Sequence, residues 1–437
     1  MAWPAGTTQL SSSASAASKA FSKSASVAGR NKSHKYTVLP LVCQGIEFLR
    51  LVCYNRGMDQ GTLSWAEIDL DAIAHNVRQL RRVVGPAVIL SAVVKANGYG
   101  HGAAQVARAA LAGGASRLAV AQPDEGVHLR RTGLSAPILV LGPTPLSLVA
   151  SNVANDLATT VMRMDTAQAL ASAAIARGVK ATVHIEVDTG MGRNGLLPDE
   201  VTPFAQAVST LSGLYLEGLW THFATAEEQD SSFTHHQLCV LLAVSSRLRE
   251  SGVDIPLRHA ANSAGTICHP DTHLDMVRCG LAIYGLYPGD ACRGAIALHP
   301  AMSLHSRVAR LRTLPAGSPV SYGRSYTTAA PTMVAFMPIG YADGLRRALS
   351  NRGSVLIRGQ RAPLIGRICM DGCMADVSAT AGVQEGDEAV FLGRQGQTEI
   401  TADEMAGLIG TVSYEVVTGI GQRVPRVYGR NGVRGGG

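Results

Sequence analysis

From residue 87 onward, short apolar runs rich in β-branched residues alternate with helical patterns, and turn residues separate the two. The sequence predicts eight strands, at 88–94, 117–121, 137–141, 157–161, 182–187, 215–222, 257–261 and 276–280. Helices are predicted between them at 101–112, 124–132, 164–177, 198–211 and 232–251. An earlier helix is predicted over 72–83, with Asp71 as its N-cap.

Eight parallel strands with intervening helices favour a closed (β/α)8 TIM barrel, because closure buries both faces of the sheet and removes its edges. A doubly wound open sheet is the alternative that the same alternation allows. In a barrel, functional residues lie after the carboxyl ends of the strands. This rule directs attention to the residues that follow each apolar run.

After about residue 297 the pattern changes to short alternating strands with glycine and proline turns, and only 401–410 is predicted to be helical. Such a pattern is typical of a mostly antiparallel β domain. A length of 437 residues accommodates a barrel and this second unit. We therefore predict a barrel domain over 58–297 and a C-terminal β domain over 298–432.

The first 57 residues form an N-terminal extension rich in serine and alanine, with seven lysines or arginines and one acid, Glu47. This composition is typical of an organelle transit peptide; alternatively, translation starts at Met58, or the segment stays disordered. Nearly all of the net charge of +7 lies here. The rest of the chain is almost neutral, so it lacks the excess of positive charge that would indicate nucleic-acid binding. A cytoplasmic protein is expected, or a plastid or mitochondrial one if the transit peptide is genuine.

The eight cysteines are scattered and show neither a CxxC pair nor zinc-ligand spacing, so no metal site is predicted. Free thiols are expected. Cys369 and Cys373 are interpreted as small buried residues, with a functional role as the alternative. The most apolar stretch, 36–53, is interrupted by polar residues, and no membrane-spanning helix is predicted.

Lys95 directly follows the first apolar run and opens the segment AVVKANGYGHG (92–102). An ordinary solvated lysine is the alternative, but the glycines after it let the backbone approach a ligand closely. A lysine desolvated in a pocket has a lowered pKa and can form a Schiff base, and pyridoxal 5′-phosphate (PLP) is the common cofactor bound in this way. Polar residues follow the later strands too, which indicates one pocket at the barrel rim: Arg193, His222, Asn262, Ser263 and Arg278.

With these motifs in order, the chain resembles the alanine racemase family over roughly residues 60–430. The resemblance rests on AVVKANGYGHG, DTGMGR, THFA, ANSAG, VRCGLAIYGL, VSYGRSY, IGYADG, GRICMDGC and SYE. It implies a PLP enzyme in which Lys95 binds the cofactor and is the base for D-alanine, while Tyr322 is the base for L-alanine. Tyr322 would contact His222, which in turn contacts Arg278, and this positively charged chain would favour the phenolate.

The resemblance also implies the rest of the site. Arg278 would face the pyridine nitrogen of the cofactor, and Arg193 and the amide of Met370 would bind the substrate carboxylate. Asp371 and Tyr341 would line the entrance. The cofactor would further be held by Tyr99, His222, Asn262, Ser263, Gly280, Leu281 and Tyr414.

Family members are homodimers with shared active sites, so Lys95 of one chain is expected to meet Tyr322 and Met370 of its partner. One position departs from the family: Glu186 stands where a carbamylated lysine is frequent, and we expect it to supply a permanent negative charge that orients Arg193. The implied product, D-alanine, would supply peptidoglycan synthesis. A broad-specificity or serine racemase, a decarboxylase of the same barrel family and a non-catalytic PLP carrier are the alternatives.

Overall fold

The computed structural model describes residues 62–429. A first strand, β1 (Ser64–Asp69), leads into helix α1 (Leu70–Val84). The strands of one parallel sheet follow as β2 (Ile89–Val93), β3 (Arg117–Val120), β4 (Ile138–Val140), β5 (Leu157–Val161), β6 (Ala181–Glu186), β7 (Leu214–Trp220), β8 (Leu257–His259) and β9 (Met276–Cys279). Helical segments alternate with them as α2 (Lys95–Tyr99), α3 (Ala103–Ala112), α4 (Pro123–Arg131), α5 (Val149–Ala154), α6 (Met164–Ala176), α7 (Val201–Ser209), α8 (Ser232–Glu250) and α9 (Ser263–Cys268).

This sheet is a closed barrel. Its strands pair in parallel in the order β8-β7-β6-β5-β4-β3-β2-β9. The two end strands are joined by the amide of Asp275, which donates to Arg258 O at 3.1 Å, and the amide of Arg278, which donates to Ala261 O at 2.9 Å. The predicted (β/α)8 barrel is therefore confirmed, and the alternative of a doubly wound open sheet is wrong.

The inside of the barrel is divided between an apolar part and a polar part. Strands β2 to β5 and β9 contribute a small apolar cluster: Val93, Ala119, Leu139, Ala158 and Met276. Strands β6, β7 and β8 instead contribute His184, Glu217 and His259, which hydrogen-bond to one another. The larger apolar core fills the space between the barrel strands and the helices and continues into the β region, for example at Leu304 and Phe391.

The remaining strands build the C-terminal β region. They are β10 (Met302–Arg307), β11 (Arg310–Leu314), β12 (Pro319–Val320), β13 (Tyr326–Thr327), β14 (Thr332–Met337), β15 (Ser354–Ile357), β16 (Gln360–Pro363), β17 (Cys373–Asp376), β18 (Glu388–Gln395), β19 (Thr398–Ile400) and β20 (Arg426–Gly429). Its largest sheet has the order β16-β15-β18-β10-β1-β20, with β19 beside β18; β11-β14-β17 and β12-β13 form smaller antiparallel sheets. Helices α10 (Ala402–Ile409) and α11 (Ser413–Thr418) lie between β19 and β20.

Strand β1 differs from the sequence-based expectation, which placed residues 64–69 with the barrel. It pairs antiparallel with β10 and parallel with β20, so the start of the described chain lies in the β region's sheet. Such pairing is long-range and leaves no local sequence signal. The domain boundaries at 58, 297 and 432 stay predictions, and the N-terminal extension lies outside the described residues.

Two helix predictions were wrong in detail. The N-cap of α1 is Asp69, whose Oδ1 accepts from the Ala72 amide at 2.9 Å, while Asp71 lies in the first turn. Aspartate is a favourable N-cap at either position. Because β1 extends to Asp69 and the helix begins at Leu70, Asp69 is the N-cap. Helix α11 was missed, because a helix of six residues is too short for an apolar periodicity to be recognised.

The cysteine prediction is wrong for one pair. Cys268, at the end of α9, forms a disulfide with Cys292, and their Cα atoms lie 5.9 Å apart. Their separation of 24 positions in the sequence hides this proximity. Cys239, Cys279, Cys369 and Cys373 are free thiols. Within residues 62–429, no helix is both long and apolar enough to cross a membrane.

Candidate active site

Lys95 begins the turn that follows β2, at the carboxyl end of the barrel. The next residues are bent away from helical geometry, with φ of 52° at Ala96 and at Asn97. Glu125 of α4 holds this turn, since its Oε1 accepts from the Ala96 amide at 2.6 Å and its Oε2 accepts from the Ala121 amide at 2.8 Å. The Lys95 turn is therefore fixed by the neighbouring strand-to-helix loop.

The surroundings of Lys95 favour its neutral amine. Burial lowers the pKa of Lys95, and the positive charges of Arg193 and Arg278 lower it further, while Glu125 acts in the opposite direction. A neutral amine is the form that attacks a carbonyl group or accepts a proton. Lys95 is thus suited to both tasks predicted for it.

A group of phenol, hydroxyl and amide groups lies at the carboxyl ends of β2, β8 and β9. The Tyr99 ring packs 4.8 Å from that of Tyr284, and burial together with Tyr414 raises the pKa of Tyr99 to about 12. Ser263 Oγ accepts from the amides of Gly280 at 3.0 Å and Ala282 at 3.2 Å. Leu281 begins the helical turn that follows, and Asn262 caps α9 by accepting from the Gly265 amide.

Gly280 has little room for a side chain. A Cβ atom there would lie 2.7 Å from the Tyr99 hydroxyl. Neutral donors arranged around such a turn can bind a phosphate group. The predicted phosphate-binding residues of the barrel rim are therefore brought together.

Arg278 of β9 is buried inside the barrel, and hydrogen bonds from its two terminal nitrogens hold the guanidinium. Its guanidinium donates to Thr221 O at 2.7 Å and to His259 Nδ1 at 2.8 Å, and lies 4.6 Å from the Trp220 ring centroid. His222 Nδ1 lies 3.4 Å from the same group. Burial lowers the pKa of Arg278 to about 10, so it keeps its charge at neutral pH.

His222 corrects one prediction. Burial, Arg278 and Arg193 lower the pKa of His222 to about 3, so the imidazole is neutral at pH 7. The expected positively charged chain therefore consists of Arg278 alone, because a second buried cation beside a guanidinium is unfavourable.

Glu186 ends β6 with its side chain buried, and within residues 62–429 its Oε2 has no hydrogen-bond partner. Burial raises its pKa to about 7, against the opposing charges of Arg278 and Arg193. The raised pKa opposes the expectation of a permanent negative charge, and the charge state of Glu186 in the assembled site stays a prediction. Asp188 shapes the turn that carries the exposed Arg193 by accepting from the Gly190 and Gly192 amides at 3.0 Å.

Tyr322, Met370 and Tyr341 lie in the β region, and their side chains are 73%, 53% and 42% exposed. Within residues 62–429, no hydrogen bond or ion pair joins them to Lys95. Tyr322 is presented by a turn in which Ser321 has φ of 63° and donates from Oγ to Arg367 O at 2.6 Å. Within one chain, therefore, the barrel residues of the site lie together, whereas Tyr322, Met370 and Tyr341 lie at the surface.

Asp371, the other predicted entrance residue, also lies in the β region. It is exposed and accepts from Arg423 at 2.6 Å. The same arginine binds Asp343 at 2.6 Å, so Arg423 links the loop that carries Tyr341 to the loop that carries Met370. The predicted entrance residues are thus held near one another.

Sequence reasoning missed Glu125, Trp220 and His259. His259 is the last residue of β8, so the rule that functional residues follow strand ends could have identified it. Glu125 is the third residue of α4, a position where a glutamate typically caps its own helix. Its second contact, with the Ala96 amide of the Lys95 turn, leaves no signal in the local sequence.

Comparisons with known proteins agree with this geometry. Residues 68–288 match the family model described as alanine racemase, N-terminal domain, and residues 301–428 match alanine racemase, C-terminal domain. The alanine racemase of Desulfosudis oleivorans is 50% identical over 375 residues, which cover 84% of this chain and 96% of the relative. That of Desulforamulus reducens is 48% identical over 366 residues, which cover 83% and 98%.

Among solved structures, the alanine racemase of Bacillus anthracis with bound L-Ala-P superposes with a TM-score of 0.80 at 40% identity, covering 85% of this chain and 96% of that one. The similarity spans both the barrel and the β region, and the barrel residues named above lie together at one rim. The chain belongs to the alanine racemase family.

Proposed function

We propose that this chain is an alanine racemase, an isomerase that interconverts L- and D-alanine with PLP as its cofactor. The proposal rests on Lys95, whose amine has a lowered pKa at the carboxyl end of β2 in a chain of this PLP-dependent family. A lysine with a lowered pKa is better able to bind a carbonyl cofactor covalently and to exchange protons with a substrate.

The residues around Lys95 fit PLP. The hydroxyls of Tyr99, Ser263 and Tyr414 and the amides of Gly280 and Leu281 would hold its phosphate. The missing side chain at Gly280 fits a close approach, since a Cβ would collide with the Tyr99 hydroxyl. Asn262 and His222 would support the cofactor from α9 and from the end of β7.

Arg278 would face the pyridine nitrogen. With a pKa of about 10 it stays protonated at neutral pH, so it donates a hydrogen bond without giving up its proton. Its contacts with Thr221 O and His259 fix the direction in which the guanidinium points. An arginine at this place limits electron withdrawal by the cofactor, which disfavours transamination relative to proton exchange.

Bound PLP supplies electron withdrawal that makes the alpha proton of alanine acidic. Lys95 Nζ would take or return this proton on the D-alanine side, and Tyr322 Oη on the L-alanine side. Arg193 would bind the substrate carboxylate together with the Met370 amide. Glu186 would orient Arg193 more strongly as pH rises through 7, where the carboxyl becomes charged.

The exposure of Tyr322 and Met370 supports a homodimer with shared sites. Large side chains exposed together typically mark an interaction surface. In the dimer that we infer, Tyr322 of one subunit lies opposite Lys95 of the other, with Tyr341 and Asp371 lining the entrance. A cytoplasmic location and a supply of D-alanine to peptidoglycan synthesis complete the proposal.

The test is a racemisation assay coupled to D-amino-acid oxidase, with L-alanine and then other L-amino acids as substrates. We expect Lys95→Ala and Tyr322→Phe each to lower kcat by about 100- to 10,000-fold, the usual range for a general acid–base group. Tyr322→Phe should retain the visible absorbance of bound PLP, because its hydroxyl does not hold the cofactor.

Two matched controls are present in the chain. Lys180 is the other lysine after residue 57 and is exposed, and Tyr215 is exposed at the start of β7. Lys180→Ala and Tyr215→Phe should match the wild type, and borohydride reduction should attach PLP to the peptide containing Lys95. Cofactor absorbance without interconversion would indicate a PLP carrier, and a higher kcat/KM for serine would indicate a serine racemase; either result contradicts the proposal.

A further inference from the structure

A chain of buried and partly buried polar side chains runs from Arg278 through the inside of the barrel towards its opposite end. Arg278 contacts His259 Nδ1 at 2.8 Å, and His259 Nε2 lies 2.9 Å from His184 Nδ1. His184 Nε2 lies 2.9 Å from Glu217 Oε2. Arg117, the first residue of β3, donates to both oxygens of Glu217 at 2.6 and 2.8 Å.

The donors and acceptors of this chain admit one consistent set of tautomers. An ionised carboxylate only accepts, so His184 donates to Glu217 from Nε2 and its Nδ1 is an acceptor. That acceptor receives the Nε2–H of His259, which leaves His259 Nδ1 as an acceptor. An arginine only donates, and Nδ1 of His259 is where Arg278 donates.

The charge states agree with this assignment. Burial raises the pKa of Glu217, but hydrogen bonds from Arg117 and His184 outweigh it and lower the pKa to about 2, so the carboxylate is ionised. Burial lowers the pKa of both His184 and His259, so both imidazoles are neutral. Each group is therefore in the form that the hydrogen bonds require.

The barrel makes room for this chain. A Cβ on Gly218 of β7 would lie 2.0 Å from His184 Nδ1, so a glycine is needed beside the imidazole. The pairing of β6 with β7 shifts register between Val183 and His184, at the same level. A register irregularity and a glycine at one point are costly within a strand and indicate a specific placement of His184.

We propose that His184, Glu217 and Arg117 are positioning residues for the reaction: they hold His259 in the tautomer whose Nδ1 accepts from Arg278. The proposal rests on the proposed function, in which Arg278 faces the cofactor. A purely structural ion pair would stabilise the fold without setting any tautomer. The two roles therefore differ in what they predict for the imidazole protons and for the cofactor.

The test uses Glu217→Gln in the full chain with PLP. The amide can turn its NH2 group towards His184 Nε2 and its oxygen towards Arg117, which reverses the proton on His184 and then on His259. Arg278 would then face an N–H instead of an acceptor. In ¹⁵N-histidine NMR spectra, we expect the protonated and the unprotonated nitrogen signals to be interchanged between Nδ1 and Nε2 in both imidazoles. The spectrum of His184→Asn assigns the signals of His184.

We expect Glu217→Gln to lower kcat by about 10- to 100-fold, as for other residues that orient a ligating group, and to shift the visible absorbance of bound PLP. The control is Glu404→Gln, which removes a similar two-bond contact with Arg361 in the β region. It should change the melting temperature without changing kcat, the absorbance or the imidazole signals.

Wild-type imidazole signals in Glu217→Gln, or a kcat equal to that of Glu404→Gln, would overturn the inference. If Glu217→Gln does not fold, His184→Asn tests the same step, since it removes the acceptor for His259 Nε2; a wild-type kcat there would also overturn it. The NMR result on the wild type needs no activity. A chain with the assigned tautomers and no racemisation would therefore refute the proposed function alone.

Discussion

The barrel half and the β-region half of the candidate site are built in opposite ways. On the barrel side, Arg278 is buried with hydrogen bonds from both terminal nitrogens, and the Lys95 turn is held by Glu125. On the other side, Tyr322 is 73% exposed on a turn whose preceding residue has a left-handed φ. One half is held together within a chain, whereas the other lies exposed at the surface.

The difference separates two requirements of a racemase. A cofactor needs a dry, rigid pocket, which a barrel rim provides. The second base must reach the opposite side of the substrate, and a surface residue of another subunit can do so without opening that pocket. Three predictions test this division, in order of decreasing effect.

Mixing Lys95→Ala with Tyr322→Phe chains should restore activity that neither has alone. After unfolding and refolding together, half of the dimers combine the two variants, and each of these has one intact site. We expect about one quarter of the wild-type specific activity for a shared site in a two-fold dimer. The control is the same treatment of each variant alone, and no recovery in the mixture would place both bases within one chain.

Gly280→Ala should disturb the barrel half alone. The added methyl would lie 2.7 Å from the Tyr99 hydroxyl, so Tyr99 or the Gly280 turn must move. We expect PLP to bind at least about 10-fold more weakly, as measured by absorbance titration. Gly407→Ala on α10 is the control, because nothing lies within 4 Å of its Cβ. Unchanged PLP affinity in Gly280→Ala would show that the phosphate binds elsewhere.

Glu186→Gln should have the smallest effect, and one that depends on pH. The pKa of Glu186 is raised in the fold from 4.5 to about 7, so ionising the buried carboxyl costs stability progressively between these values and fully above pH 7. Relative to wild type, Glu186→Gln should therefore gain at most about 3 kcal/mol of unfolding free energy between pH 5 and pH 8, which a higher melting temperature at pH 8 would show.

The same variant should raise KM for alanine severalfold at pH 8, because Arg193 loses its ionised partner, and less at pH 6. Glu228→Gln, at an exposed glutamate, is the control for both measurements. Equal KM values and an equal pH dependence of melting in Glu186→Gln and wild type would remove Glu186 from the site.

The sequence predicted most of the barrel and much of its rim, for a physical reason. Buried parallel strands are continuous apolar runs, so each of the eight was located to within about two residues. Lys95, Arg278 and Ser263 follow such runs, and the barrel topology brings strand ends together. The strand positions and the residues at the strand ends follow from the barrel topology alone, so the sequence was sufficient to predict them.

Features that depend on distant contacts or on burial were not predictable. The pairing of β1 with β20 and the Cys268–Cys292 bond join residues that show no common pattern in the sequence. The neutral form of His222 and the raised pKa of Glu186 follow from desolvation, which is a property of the finished fold.

Arg426 of β20 connects the last described strand to the Lys95 turn, because its Nε donates to Gly100 O at 2.9 Å. The same strand pairs with β1 at the start of the described chain. The Lys95 turn therefore rests on a contact from the far end of the described chain as well as on Glu125. Damage to β20 would therefore loosen the lysine turn, although the two residues lie 326 positions apart in the sequence.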